Sequence, residues 1–197
     1  MKGLNLLFSS AVCILFLLSI GCSPQSSEKI PQDNIPPDNQ TRDENTSLPE
    51  PYPPAELKLS SPAFAQDGMI PAAYTCKGKD ISPELVFENI PAATKSLALI
   101  LDDPDASGFT HWLVWNIPAR TLRISEGAEV GLHGRNDFST IGYQGPCPPS
   151  GMHHYVFTLF ALDTEIPLPE GSNRQNLMSA MQGHVRATAE LIGTCTK

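Results

Sequence analysis

Basic residues are scarce in this chain. Lysine and arginine number 13 against 21 aspartates and glutamates, a formal net charge of −8, and they form no patch. Nucleic-acid binding, which needs such a footprint, has no support. The five cysteines and five histidines show no finger-type spacing, so no zinc site is expected. There is no internal repeat. A hydrolase-type nucleophile is also missing, because Ser150-Gly151 lacks the strand–turn–helix elbow such a serine requires.

Long apolar stretches are confined to the start. Lys2 gives a positive beginning, Leu4 to Ile20 is mostly apolar, and Gly21 precedes Cys22. A charged start, a short apolar stretch and small residues at its end describe a secretory signal over 1–21. Ser9, Ser10 and Ser19 interrupt the run, which favours a signal over an uncleaved anchor helix. "LLSIGC" resembles a bacterial lipoprotein processing site, with Ser19 where Leu is usual. The resemblance implies export, a diacylglycerol on the Cys22 thiol and tethering to a membrane surface without spanning it.

Residues 22–57 are a different material. Between Ser23 and Leu57 there are eight prolines, one aromatic (Tyr52), seven acidic residues and two basic ones. Such a segment buries too little apolar surface to offset its ordering entropy, so a disordered linker is expected. Its reach is on the order of 30 Å. Residues 58–197 are 140 residues with fourteen acidic and ten basic side chains, the size of one domain.

Within that domain the strongest signals are strands: Glu84–Glu88, Ser96–Leu101, Thr110–Ile117 and His154–Leu162. Most are apolar on both parities, as strands covered on both faces are. Dense turn signals separate them, and short strands so punctuated predict an all-β sandwich. One helix is expected near the C-terminus. Ser172 would cap it, with Gln175 three residues on, and Leu177, Met178 and Met181 would form its apolar stripe before Gly183. Val185 to Thr194 would be a last strand.

Three segments bring polar groups to strand ends. Asp103-Pro104-Asp105 places two carboxylates at the same parity, pointing alike in an extended backbone; taken alone it reads as a solvated turn. His111 opens an apolar strand and shares a face with Leu113 and Trp115; taken alone it reads as a partly buried histidine with one hydrogen bond. In "GYQGPCPPSGMHHYVF", His153 and Tyr155 share a face with Phe157 and Leu159, whereas His154 falls on the other. Imidazole and phenol protons, with a free backbone N–H near Gly145, would be the convergent donors an oxyanion needs. Pro146 would hold loop shape, and Gly145 would let a ligand approach the backbone.

"SPEL", "DDPDAS", "HWLVWNIP", "GRNDF", "GYQGPCPPSGMHHYVFTLFALD" and "GHVRATAELIGT" resemble the phosphatidylethanolamine-binding protein family, nearest its bacterial, Raf-kinase-inhibitor-like branch. The likeness covers nearly all of Leu59 to Thr194. It implies a β-sandwich of two antiparallel sheets with a small anion pocket at one end. Its ligand-binding residues would be Asp103, Asp105, His111, Gly145, Pro146, His153 and Tyr155. The family commonly has Arg after the second histidine; His154 here removes a fixed positive charge. The chain ends soon after Thr194, so a more open site than in animal relatives is expected.

The same resemblance brings the loops of Cys76 and Cys147 toward the pocket and implies a disulfide between them, which an exported protein tolerates. Cys195 would be a buried thiol. The leading expectation is a binding module without cofactor for a small anion: phosphate, a phospholipid headgroup or an acidic side chain. A second is an inhibitor or regulator of an exported peptidase or other protein partner. A third is metal-assisted or acid–base hydrolysis through Asp103, Asp105, His111 and His153.

Overall fold

The computed structural model describes residues 56–197. The expected signal segment, Cys22 and nearly all of the expected linker therefore lie outside the described residues. The linker's expected end needs one correction. Leu57 is buried in the core, and Asn89 donates to the Glu56 carbonyl at 3.0 Å, so these two residues belong to the domain.

Along the described chain run β1 (Lys58–Ser60), β2 (Gly68–Met69), β3 (Leu85–Glu88), β4 (Ser96–Asp103), β5 (Phe109–Pro118), β6 (Arg123–Ile124), β7 (Leu132–His133), β8 (Met152–Leu162), α1 (Arg174–Met181) and β9 (Val185–Thr196). They form an all-β architecture with one short helix. A three-stranded sheet has the order β1-β3-β6, and a six-stranded sheet the order β2-β9-β8-β4-β5-β7. Pairing is antiparallel except at one edge, where Gly68 and Met69 of β2 run parallel to Gly193 and Thr194 of β9.

The large sheet is covered on both faces. On one, Leu97, Leu99, Leu101, Trp112, Val114, Phe157 and Leu159 pack with Leu59 and Phe87 of the small sheet. On the other, Ala98, Ile100, Leu113 and Trp115 pack against Leu177 and Met181 of α1. This is why Leu97–Leu101 of β4 and Trp112–Trp115 of β5 are apolar at every position: each parity has a core to face. Each Leu, Ile, Val, Phe or Met among them, fully buried, contributes roughly 1.5–3 kcal/mol.

The helix starts one residue later than its sequence signal. Asn173 caps it, accepting from the Asn176 N–H at 3.0 Å. Ser172 instead donates to the Pro169 carbonyl at 2.7 Å, a local bond that competes with capping.

Candidate ligand-binding site

At the end of β4 the chain does not stay extended. Pro104–Ala106 form one helical turn, with Asp103 Oδ1 accepting from the Ala106 N–H at 3.0 Å. The two carboxylates therefore diverge, contrary to the parity argument. Asp103 turns inward, 2% exposed, and Oδ2 accepts from His153 Nδ1 at 2.8 Å. Asp105 turns outward. Its Oδ2 accepts from both the backbone N–H and Nδ1 of His154, at 2.7 and 2.8 Å. Those bonds, the backbone one first, hold its carboxyl below the usual carboxylate range. His154 thus clasps the turn from outside while His153 reaches in.

His111 also departs from simple alternation. Trp112 pairs with Leu101 and Thr110 with Asp102, so His111 is the extra residue of a β-bulge. A bulge bends its strand and re-aims the extra side chain. The imidazole leaves the face of Leu113 and Trp115, which is covered by α1. It meets Tyr155 edge-on instead, ring centroids 5.2 Å apart. Phe109 and Phe138 flank it with centroids at 5.5 and 5.2 Å.

The protons on His111 follow from its neighbours. Nδ1 faces two carbonyls, Gln144 at 2.9 Å and Gly145 at 3.1 Å. Carbonyls only accept, so Nδ1 carries the proton and Nε2 of the neutral ring is a bare acceptor. Burial pushes this imidazole below the ordinary histidine range, against the pull of the Gln144 carbonyl and the Asp103 carboxylate. The expected second donor is therefore a lone pair until the ring takes a further proton.

The glycine loop is built for packing. The Gly145 N–H is not free; it donates to Asp80 Oδ1 at 2.6 Å. A Cβ here would overlap the Tyr74 carbonyl and stand 2.7 Å from Asp80 Oδ1. Glycine is required by neighbouring backbone, not by an approaching ligand. Pro146 is buried, and its carbonyl accepts from the Cys76 N–H at 3.1 Å. Beside it Cys76 and Cys147 form a disulfide, Cα atoms 5.4 Å apart. Cys195 is a buried free thiol.

Tyr155 completes the site. It is fully buried, and its hydroxyl has no hydrogen-bond partner. Burial, then the nearby Asp103 carboxylate, push the phenol well above its ordinary range. It stays an O–H donor near the Asp103 carboxylate. The structure thus brings Asp103, His111, Gly145, Pro146, His153 and Tyr155 together and leaves Asp105 on the rim. Among the described residues no three His, Cys, Asp or Glu side chains converge in a metal-binding group.

Three contributors were not singled out from sequence. Asp80 anchors Gly145. Buried Asn136 donates to the His111 and Gly142 carbonyls at 3.3 and 3.2 Å and accepts from Phe138 N, Thr140 N and Thr140 Oγ1. Phe138, 37% exposed, supplies an apolar rim. Asn136 and Phe138 lie in "GRNDF", a stretch that carried the resemblance without a role attached.

Comparison with known proteins gives a consistent result. A family model described as phosphatidylethanolamine-binding protein matches residues 60–196. A UPF0098 protein of Pyrococcus horikoshii is 49% identical over 150 residues, covering 70% of this chain and 75% of the relative. One from Methanothermobacter thermautotrophicus is 44% identical over 146 residues, covering 70% and 97%. The crystal structure of a putative homolog from Chlamydia trachomatis aligns with a TM-score of 0.70 at 40% identity, covering 72% of this chain and 98% of that one. That of Escherichia coli YbcL, described as a new member of the mammalian family, gives 0.68 at 31%, covering 73% and 99%.

Proposed function

Because this chain belongs to the phosphatidylethanolamine-binding protein family, whose members support a small-ligand binding or regulatory role, we propose that its domain binds small anions and takes up a proton in doing so. Phosphate, a phospholipid headgroup and an acidic side chain share the needed chemistry. The observation that carries the reading is the buried Tyr155 hydroxyl without a partner, beside His111 and the Asp103–His153 pair. A buried donor left unmade costs about 1–3 kcal/mol, and an oxyanion would satisfy it.

The proton follows from charge. Asp103 is buried and repels an anion unless a neighbouring imidazole is charged. His111 has an open Nε2 and is the group whose protonation would supply that charge. Binding and protonation then reinforce each other, so affinity rises as pH falls. Calorimetric titration with phosphate and phosphoethanolamine, in buffers of different ionisation enthalpy, counts the proton. Absence of heat with both ligands, or heat unchanged in His153→Ala, refutes the reading.

Phe109 and Phe138 beside His111 favour a second reading of the same pocket, in which the anion is an acidic side chain of a protein partner, such as an exported peptidase. An apolar rim around a polar centre suits a protein surface. Capture of a partner that free phosphate displaces would support it. The membrane tether belongs to the proposal too. Incorporation of labelled fatty acid, lost in Cys22→Ser, is its test; equal labelling of the variant overturns it.

A further inference from the structure

A second hollow lies apart from His111, His153 and Tyr155. It has a volume of about 220 Å³ and is lined by Asp80, Trp112, Glu129, His133, Tyr143 and Glu170 among others. No lysine or arginine contributes to it. Glu129 faces only a histidine, and neither Asp80 nor Glu170 has a cation in ion-pairing range among the described residues. The lining therefore carries up to three negative charges. Trp112 and Tyr143 meet edge-to-face, centroids 5.5 Å apart, and aromatic faces add attraction for a cation.

His133 supplies an independent requirement. It is 5% exposed. The Trp112 indole N–H donates to its Nδ1 at 3.2 Å, so the ring proton sits on Nε2. That N–H is buried and lacks an aligned acceptor. Glu129 Oε2 stands 2.9 Å away but off the N–H direction, on a side chain 83% exposed. Buried donors are normally satisfied, and one that is not calls for an explanation. A ligand oxygen would provide it. A carboxylate oxygen would be repelled by the acidic lining, which leaves a neutral one.

We propose that this cavity is a second binding site, taking a small primary amine that also carries a neutral oxygen. The ammonium group meets Glu170 and the free oxygen of Asp80, and the neutral oxygen accepts from His133 Nε2.

The test follows the Trp112 indole N–H resonance of the full chain by NMR. Glycinamide has both groups, ethylammonium lacks the oxygen, and acetamide lacks the charge. Glycinamide should shift the signal saturably, with the other two roughly tenfold weaker or more. Glu170→Gln, an exposed change, should weaken glycinamide several-fold. His133→Phe should abolish the preference for glycinamide over ethylammonium. A signal unmoved at tens of millimolar glycinamide overturns the proposal, as does equal binding of acetamide or an unchanged response in Glu170→Gln. Phosphate titrated in parallel reads out at His111 and His153, so failure here is distinct from failure of the anion site; phosphate saturating the Trp112 shift would also count against the amine.

Discussion

Replacing Tyr155 by Phe should make the unliganded protein more stable and the liganded one less so. The ring is fully buried and its hydroxyl has no partner. Removing that oxygen keeps the packing against His111 and deletes an unsatisfied donor, whose cost is about 1–3 kcal/mol. Taking the low end, about 1 kcal/mol, the melting temperature of a domain this size should rise by about 3–4 °C. Ligand reverses the order. At a phosphate concentration about 100 times the wild-type Kd, binding stabilises wild type by about 2.7 kcal/mol. If the lost hydrogen bond weakens affinity about tenfold, the variant gains only about 1.4 kcal/mol. The two thermal curves then change places between zero and saturating phosphate. Scanning calorimetry over a phosphate series measures both ends. A variant less stable than wild type without phosphate would mean that the hydroxyl is already bonded, and would refute the argument from the orphaned donor. Unchanged affinity would refute its role in the site.

Further expectations concern the surrounding frame. Burial depresses His111, so the unfolded chain binds a proton more readily than the fold does; this contribution to stability is full above the ordinary histidine range, about 6.5, and is lost as pH falls through it. Denaturant unfolding of wild type and His111→Gln between pH 8 and 5 checks it, and identical pH profiles would overturn it. Gly145→Ala forces a methyl onto the Tyr74 carbonyl and should cost about 1–3 kcal/mol, while Asp80→Ala strips the acceptor from the Gly145 N–H and should cost a similar amount, both read from the urea midpoint. Replacing Cys76 and Cys147 by Ser opens a loop of sequence separation 71 and should lower stability by about 4 kcal/mol, with equal loss in reduced wild type.

The long strands and the family were legible because their signals are local and redundant. Runs such as Leu97–Leu101 are apolar at every position only if both faces are covered, and the two cores on β4 and β5 are the cause. The short strands β1, β2, β6 and β7, of two or three residues, left no period to read. Within the site, His153 with Tyr155 was readable from parity on β8, whose ladder past them is regular up to Ala161. Strand parity aligns Asp105 with Asp103 only on extended backbone, and Pro104 starts a turn there. The face of His111 escapes simple alternation because its bulge is set by how many residues oppose one another across two strands, which a single strand's sequence does not display. The Gly145 N–H looks free in the local sequence because its acceptor, Asp80, lies 65 residues away.

The bulge on β5 means that the aim of His111 is stored as a count of residues rather than in any side chain. Exchanges at Thr110 or Trp112 leave that count intact. Deleting Thr110 would remove this register shift and swing the imidazole toward the helix-covered side, away from Tyr155, while every other residue is kept. Among related chains, a one-residue gap at this point is therefore a stronger sign that this side-chain cluster is gone than many substitutions elsewhere.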